Sequence, residues 1–327
     1  MPCVPLAQMW VFVLLATTVT LAVTAHRTRV LPVLFLDTDP SALVAGGLDS
    51  DDDTAFAFVR AHEFPIAGVT TTFGNNQPDA TCRDFTLLLD VLKPGPPGPP
   101  VVFHCGGHLD SVRMNETTTF MADQIRAASG SDLVELVALG AMSNVAAFLR
   151  AYPALARERL AGITFLGGST TDWVELNFAS DVGAAQEVLA FAGITKRVLP
   201  FDVFLDPALG IRQSTIDQRC PGVGVTSPPI DGWFPCAALR DISSVNVQRW
   251  KFLRTLFANQ WGPDVNAGFV SFDLLAVMTL SHPDLVAHWS PLTMLYPSMP
   301  AWRTSCVQCL VPDRFDAVLF QCLFLGP

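Results

Sequence analysis

The sequence predicts an α/β fold: a mostly parallel open sheet with helices on both faces. Three observations carry that reading. Runs of continuous apolar residues, each of strand length, alternate along the chain with longer segments of helical period; strands that are apolar throughout, rather than at every second residue, are buried on both faces. Asp37/Asp39, Gly74-Asn75, Gly140 and Gly167-Gly168 each follow directly on such a run, as turn residues do where a strand hands over to a helix. Half of the 327 residues are apolar and only 15% are charged, which is ample material for a core on either side of a sheet.

The elements follow in order. Residues 33–36 (VLFL) are the first strand, and a helix begins at Asp53 and runs to about Ala61. Residues 66–72 are β-branched and strand-like. Residues 78–92 have helical period, with Leu87, Leu88, Val91 and Leu92 on the apolar side. The Pro/Gly tract 93–100 (KPGPPGPP) is a stiff connector to a third strand at 101–103. Residues 136–139 and 163–166 are the fourth and fifth strands, and helices at about 144–151 and 182–191 fill the gaps. Residues 213–236, with Pro221, Pro228, Pro229 and Pro235, read as an irregular excursion rather than a linker. No internal repeat is visible, so residues 26–327 are read as one domain.

The N-terminus is a separate object. Residues 9–23 (MWVFVLLATTVTLAV) are uncharged and apolar, and Val23-Thr24-Ala25 suits cleavage after Ala25. The stretch is short for a membrane span, so residues 1–25 read as a signal peptide, and the mature chain, starting at His26, is expected to be secreted. Its leading segment carries no Lys or Arg, and an uncleaved signal anchor tethering the chain to a membrane is the alternative. Loss of Cys3 leaves seven cysteines, an odd number in an oxidising compartment. Cys220 and Cys236, bracketing a Pro/Gly-rich loop, are the preferred pair. Cys306-x-x-Cys309 has the spacing of half a zinc site, with no second pair of ligands to complete it. Asn115-Glu116-Thr117 is an N-glycosylation sequon.

A net charge of −10 and a pI near 4.9, with no basic run, argue against nucleic acid as a partner. The acid is concentrated instead. Asp37-Thr38-Asp39-Pro40 closes the first strand, and Asp49, Asp51, Asp52 and Asp53 follow within a few residues. Carboxylates this dense repel one another. A hard divalent cation relieves that repulsion, because Ca²⁺ or Mg²⁺ takes several oxygen ligands. The competing interpretation is a solvated acidic loop.

Taken together and in order, the motifs resemble those of the calcium-dependent nucleoside hydrolases, the inosine-uridine-preferring family. Asp37-x-Asp39-Pro40 with the later Asp pair is similar to that family's N-terminal metal motif. Residues 68–75 (GVTTTFGN) are similar to its second strand and Gly-Asn end, and residues 138–146 (ALGAMSNVA) to the segment whose carbonyl binds calcium. Phe165-Leu166-Gly167-Gly168 and Glu175-Leu176-Asn177-Phe178 resemble two further elements, and Phe272-Asp273 lies where the family has its last metal-binding Asp. The resemblance spans about residues 30–285 and implies a Rossmann-type sheet and hydrolysis of the N-ribosidic bond to free base and ribose. It implies Ca²⁺ held by Asp39, Asp53, Asp273 and the Leu139 carbonyl, with Asp39 also the general base. It implies ribose contacts from Asp52, Asn75, Glu175 and Asn177, a nucleoside as the small-molecule partner, and a homo-oligomer, dimer or tetramer. The chemistry suits these residue types: an oxocarbenium-like sugar and an attacking water need negative charge, a base and tight orientation.

Three departures shape the expectation. Twelve residues, 40–51, separate Asp39 from Asp52, where the family has a tight three-residue turn; Asp51 in the place of Asp39, or Asp51/Asp52 as the pair, are alternative registers. The Gly-Asn element expected between Gly168 and Glu175 is missing, with Asp172 the candidate substitute. Phe272 stands where inosine-uridine members carry a leaving-group acid; purine-preferring relatives carry an aromatic there, so Phe272 points to purine nucleosides. Taken alone, Asn75 is equally a turn residue, Glu175 and Asn177 an exposed strand edge, and Asp273 a helix-terminal charge. A catalytically impaired nucleoside-binding relative is the alternative function. Leu36-Asp37-Thr38-Asp39 is also similar to the first motif of haloacid-dehalogenase-type phosphatases, but Lys93, Lys196 and Lys251 offer no arrangement of the Lys and distant acidic pair that family needs.

Overall fold

Strand by strand, alternate side chains enter two separate cores. In β1 (Val33–Thr38) Leu34 and Leu36 pack to one side and Phe35 to the other. In β4 (Val134–Ala138) Val137 faces the first core, Leu136 and Ala138 the second; in β5 (Leu160–Leu166) Leu166 and the pair Ile163/Phe165 divide likewise. This two-sided burial is why the runs read as continuously apolar. The computed structural model describes residues 31–44, 51–92, 100–107, 109–128, 133–206, 209–210, 270–317 and 319. The expected signal peptide, most of the Pro/Gly connector, the 213–236 excursion and the Cys220/Cys236 pair lie outside them.

With β2 (Ile66–Thr71), β3 (Phe103–Cys105), β6 (Lys196–Leu199), β7 (Trp289–Leu295) and β8 (Thr304–Pro312), the sheet has the order β3-β2-β1-β4-β5-β6-β8-β7. Every neighbouring pair is parallel except β7 and β8. The first core is covered by α1 (Asp51–Ala61), α2 (Pro78–Val91) and α8 (Phe272–Ser281), through residues such as Phe56, Phe58, Phe85, Leu88 and Leu274. The second is covered by α3 (Ser111–Ala127), α4 (Ser143–Ala151), α5 (Pro153–Arg159) and α7 (Val182–Ala190), through Met121, Ile125, Phe148, Ala156 and Val188. The short α6 (Leu176–Ser180) lies between β5 and α7. Among the described residues, no helix is long and apolar enough to cross a membrane.

Two element shifts and one helix face differ from expectation in ways that bear on the site and the core. The first helix opens at Asp51, two residues early, because the acidic run itself forms its first turn, where the helix dipole favours negative charge. The third strand is 103–105 rather than 101–103; Val102 still takes part, its carbonyl accepting from Val69 N at 3.0 Å. On α2, Leu87 is 44% exposed and faces solvent, while Phe85 and Leu88 carry the buried stripe. A disulfide joins Cys82 on α2 to Cys105 at the end of β3. Asn115 of the sequon is exposed on α3.

From β1 the chain proceeds outward through β2 and β3; from β4 it proceeds the other way through β5 and β6. The reversal opens a crevice at the carboxyl ends of β1 and β4, the place where open α/β sheets bind ligands. Asp39 and Leu139 each follow one of these strands directly.

Candidate active site

Asp39 is fully buried at this crevice. Its Oδ2 accepts from Asn75 N at 2.7 Å, and the Asn75 side-chain amide reaches Asp52 Oδ2 at 3.3 Å, so one loop residue spans both carboxylates. Asp52 Oδ1 in turn accepts from Asp39 N at 3.1 Å and from the Thr38 hydroxyl. The carboxylate of Asp39 presses on two backbones. A Cβ at Gly74 would meet Asp39 Oδ2 at 2.1 Å, and one at Gly140 would meet Oδ1 at 2.6 Å; glycine at both strand ends is therefore a packing requirement.

The N-termini of α1 and α8 abut here. Thr54 Oγ1 and Ser271 Oγ hydrogen-bond at 2.6 Å across the two helices. That contact carries Asp273, in the first turn of α8, to the acidic turn of α1. Asp51, Asp52 and Asp273, all buried, present ligand atoms that lie within 4.8 Å of one another. Of the residues expected to hold the cation, Asp273 is in this group; Asp52, expected on the sugar, is in it too, together with Asp51 from the alternative register. The solvated-loop interpretation does not hold for these side chains, because Asp51, Asp52 and Asp53 are at most 3% exposed.

Asp53 turns the other way. Its Oδ2 accepts from Ala42 N at 3.4 Å, and no donor among the described residues reaches its buried Oδ1. Burial, and after it the adjacent Asp84 carboxylate, push the Asp53 pKa well up. Asp84, on α2, accepts from Leu43 N at 2.6 Å and Val44 N at 2.9 Å. It thereby anchors the start of the twelve-residue interval, a role its position in the sequence did not suggest.

On the far side of the crevice, Leu139 N donates to Asp37 O at 2.8 Å, while the Leu139 carbonyl accepts from the Asn177 side-chain amide at 2.6 Å. The same amide reaches Leu166 O at 3.2 Å. Asn177 is held in turn by Glu175, whose carboxylate accepts from Gly168 N, Asn177 N and Phe178 N at 2.9, 2.7 and 2.9 Å. Glu175 caps α6 and both residues are buried, which overturns the exposed-strand interpretation of this pair. Burial pushes the Glu175 carboxyl up, against the backbone donors that stabilise its charge. Asp172, the suggested substitute for the missing Gly-Asn element, is an exposed turn residue accepting from Ser298 N at 3.2 Å.

Beneath Asp39 lies a layer of hydrogen bonds made by Asp37 and Asn144, two motif residues for which the resemblance implied no role. Asp37 Oδ1 accepts from Thr70 Oγ1 at 2.7 Å and Asn144 Nδ2 at 2.8 Å, and Asn144 Oδ1 accepts from Gly107 N at 3.0 Å. Burial pushes Asp37 up to about 7, against those two side-chain donors. Phe272, one residue before Asp273, is half-buried among aromatics: its ring lies 5.5 Å from Phe201 and 5.1 Å, edge-on, from Phe204.

Residues 34–296 match the family model described as inosine-uridine preferring nucleoside hydrolase. The chain belongs to that family. Solved structures agree at the level of fold. They include a purine-preferring ribonucleoside hydrolase from Gardnerella vaginalis, 18% identical over 89% of this chain and 96% of that one, with TM-score 0.66. An inosine-guanosine nucleoside hydrolase is 17% identical over 89% and 97%, with TM-score 0.63. The type III effector protein XopQ, solved with adenosine diphosphate ribose, is 15% identical over 90% and 92%, also at TM-score 0.63. No curated protein sequence matches the chain. In this nucleoside hydrolase family member, the motif order read from the sequence and the family match cover nearly the same stretch of chain.

Proposed function

We propose that this chain hydrolyses the N-ribosidic bond of nucleosides, purine nucleosides in preference, to free base and ribose with the help of a bound Ca²⁺. One observation carries the reading. Three buried carboxylates converge beside Asp39 at the topological switch point of a nucleoside hydrolase fold. Like charges held together in a buried site are costly unless a cation shares them, and an all-oxygen donor set fits a hard divalent ion. Asp273 with Asp51 and Asp52 would hold it, with Asp39 and the Leu139 carbonyl at the adjoining strand ends; Asp53, in the same helical turn, is the remaining candidate.

An ion held there would supply positive charge that eases deprotonation of water. The rest is done by side chains. Asp39 takes the proton of the attacking water, its Oδ2 fixed by Asn75 N–H so that the base does not swing. Asp52, Asn75 and Asn177 offer polar groups to the ribose, and Glu175 holds Asn177 and the Gly167-Gly168 turn in position. Phe272 offers an aromatic face to the base.

The twelve-residue interval between Asp39 and Asp52 favours the second reading, a relative that binds nucleosides without turning them over. Incubating the purified chain with a panel of nucleosides, with and without chelator, separates the two. Chelator-sensitive release of free base and ribose supports the hydrolase; binding without release supports the other. We further propose secretion with cleavage after Ala25, for which the Cys82–Cys105 disulfide speaks. N-terminal sequencing should read from His26; an intact Met1 terminus in a membrane fraction would indicate the anchor.

A further inference from the structure

Cys306-x-x-Cys309 lies in β8, away from the catalytic crevice: Cys309 pairs with Lys196, the first residue of β6, whose other end faces the crevice. In an unbroken strand, residues three apart point to opposite faces, and the two sulfurs would be separated by the sheet. Here the strand is broken. The β7–β8 register slips between Leu292 and Met294, and Gln308 takes a φ of 54°, the left-handed conformation of a bulge residue. Gln308 Oε1 fixes the bulge by accepting from Gly193 N at 2.7 Å. The result is that both cysteines face the same core, Cys309 within it and Cys306 packed against it. Cys309 is buried at 3% exposure, whereas Cys306 is half-buried and reachable.

A fixed cation sits beside them. Lys196 is fully buried, and its three ammonium donors are taken by the carbonyls of Phe191, Val307 and Ile194 at 2.5, 2.6 and 3.2 Å. Among the described residues no carboxylate pairs with it. Burial pushes the Lys196 pKa down, and the two sulfurs beside it act in the opposite direction. The neighbouring Cys306, and after it the Lys196 charge, hold the Cys309 thiol below its usual range, while Cys309 in turn pushes Cys306 above it.

We propose that Cys306 and Cys309 form a thiol–disulfide exchange site that closes to an internal disulfide on meeting a small-molecule disulfide and reopens with thiol. The Cys306 sulfur attacks one sulfur of the incoming disulfide as its proton passes to Cys309; the external S–S bond breaks and one small thiolate leaves. That thiolate takes the proton from Cys309, whose sulfur then attacks Cys306 and expels the second small thiolate. The Cys306 thiol and the Cys309 thiolate are together oxidised by two electrons, and the external disulfide is reduced to a thiol and a thiolate. Lys196 is a positioning residue, stabilising the anion on Cys309 in the open form.

The test uses the full chain, equilibrated over a range of reduced to oxidised glutathione, acid-quenched, alkylated, digested and weighed. The peptide spanning Cys306 and Cys309 should pass, in one reversible transition, from doubly alkylated to unalkylated and lighter by two hydrogen atoms. Cys306→Ser should abolish the transition. Lys196→Met, which removes a charge that favours the open form, should let the disulfide persist at more reducing ratios, and Lys196→Arg should restore the midpoint. The proposal is overturned if Cys306 stops at a mixed disulfide with glutathione, if either cysteine links elsewhere, if both stay alkylatable throughout, or if bound zinc is what protects them.

Discussion

The side-chain amide of Asn177 donates to the Leu139 carbonyl at 2.6 Å, tying the start of α6 to the end of β4. Leu139 O is also the carbonyl proposed to face the cation, so amide and ion would approach the same acceptor, which has two lone pairs to offer. Asn177→Ala removes a donor from two buried carbonyls, Leu139 O and Leu166 O. The expected cost is about 1–3 kcal/mol in urea unfolding. Calcium should restore part of it, because the ion takes up the carbonyl that the amide left, and its stabilising increment should be larger in the variant than in the unmodified chain. Equal increments in both proteins would remove Leu139 from the ligand set.

Calcium affinity distinguishes the two registers of the acidic helix. Asp51, Asp52 and Asp273 are the carboxylates within 4.8 Å of one another, whereas Asp53 turns toward Ala42 and Asp84. Removing a charged ligand weakens a hard-cation site sharply. Asp273→Ala and Asp51→Asn should each lower calcium affinity by at least about tenfold in calorimetry, with Asp53→Asn the smaller effect. Affinity lost in Asp53→Asn and kept in Asp51→Asn would assign the ion to the register expected from family resemblance.

The sheet was legible because burial on both faces writes itself into sequence as unbroken apolar runs: 33–36 and 163–166 fall on strands, and 136–139 overruns the end of β4 by one residue. β6 and β8 were not legible. Lys196 and Arg197 open β6, and their charge is accommodated by backbone carbonyls and by Glu135, which no local pattern announces. α3 was missed because its inward face includes Thr117 and Thr118. At the site, residues at strand ends could be read from motif order, whereas Asp84 and Asn144 act across distances in sequence of 40 and 107 residues. Asp51 was ambiguous for a related reason: spacing alone does not say how a long interval returns, and the Thr54–Ser271 contact that fixes it joins residues 217 apart.

Stability should depend on acid through His62, at the end of α1. Its ring lies 4.1 Å from Phe58 and 6.1 Å from His282, and burial, then the charge of His282, lower its pKa from 6.5 to about 4. Between those values the unfolded chain binds a proton that the folded chain refuses. This contribution is therefore complete above pH 6.5 and is lost as pH falls toward 4. Partial exposure of the ring keeps it to about 1–2 kcal/mol. The urea midpoint of the calcium-free chain should fall between neutral pH and pH 5, and His62→Gln should flatten that slope. An unchanged slope in the variant would assign the acid sensitivity to other groups.

The proposed leaving-group preference rests on Phe272. The residue has no titratable proton, so in the proposed reaction it would act through stacking and exclusion of water, in an aromatic wall it shares with Phe201 and Phe204. Offset stacking is worth about 0.5–1.5 kcal/mol beyond area burial. A positioned acid commonly gives about 10²–10⁴-fold. The difference matters less for purines, which accept a proton at N7 from solvent more readily than pyrimidines are activated. Inosine and other purine nucleosides should therefore be cleaved faster than uridine. Phe272→Ala should lower the purine-to-pyrimidine ratio of kcat/KM by roughly two- to tenfold, the kinetic equivalent of one lost stack. Phe272→His places an acid next to Asp273 and should raise uridine turnover with a new acidic limb in its pH profile. Uridine hydrolysis by the unmodified chain at a rate matching inosine would mean that another group already donates that proton.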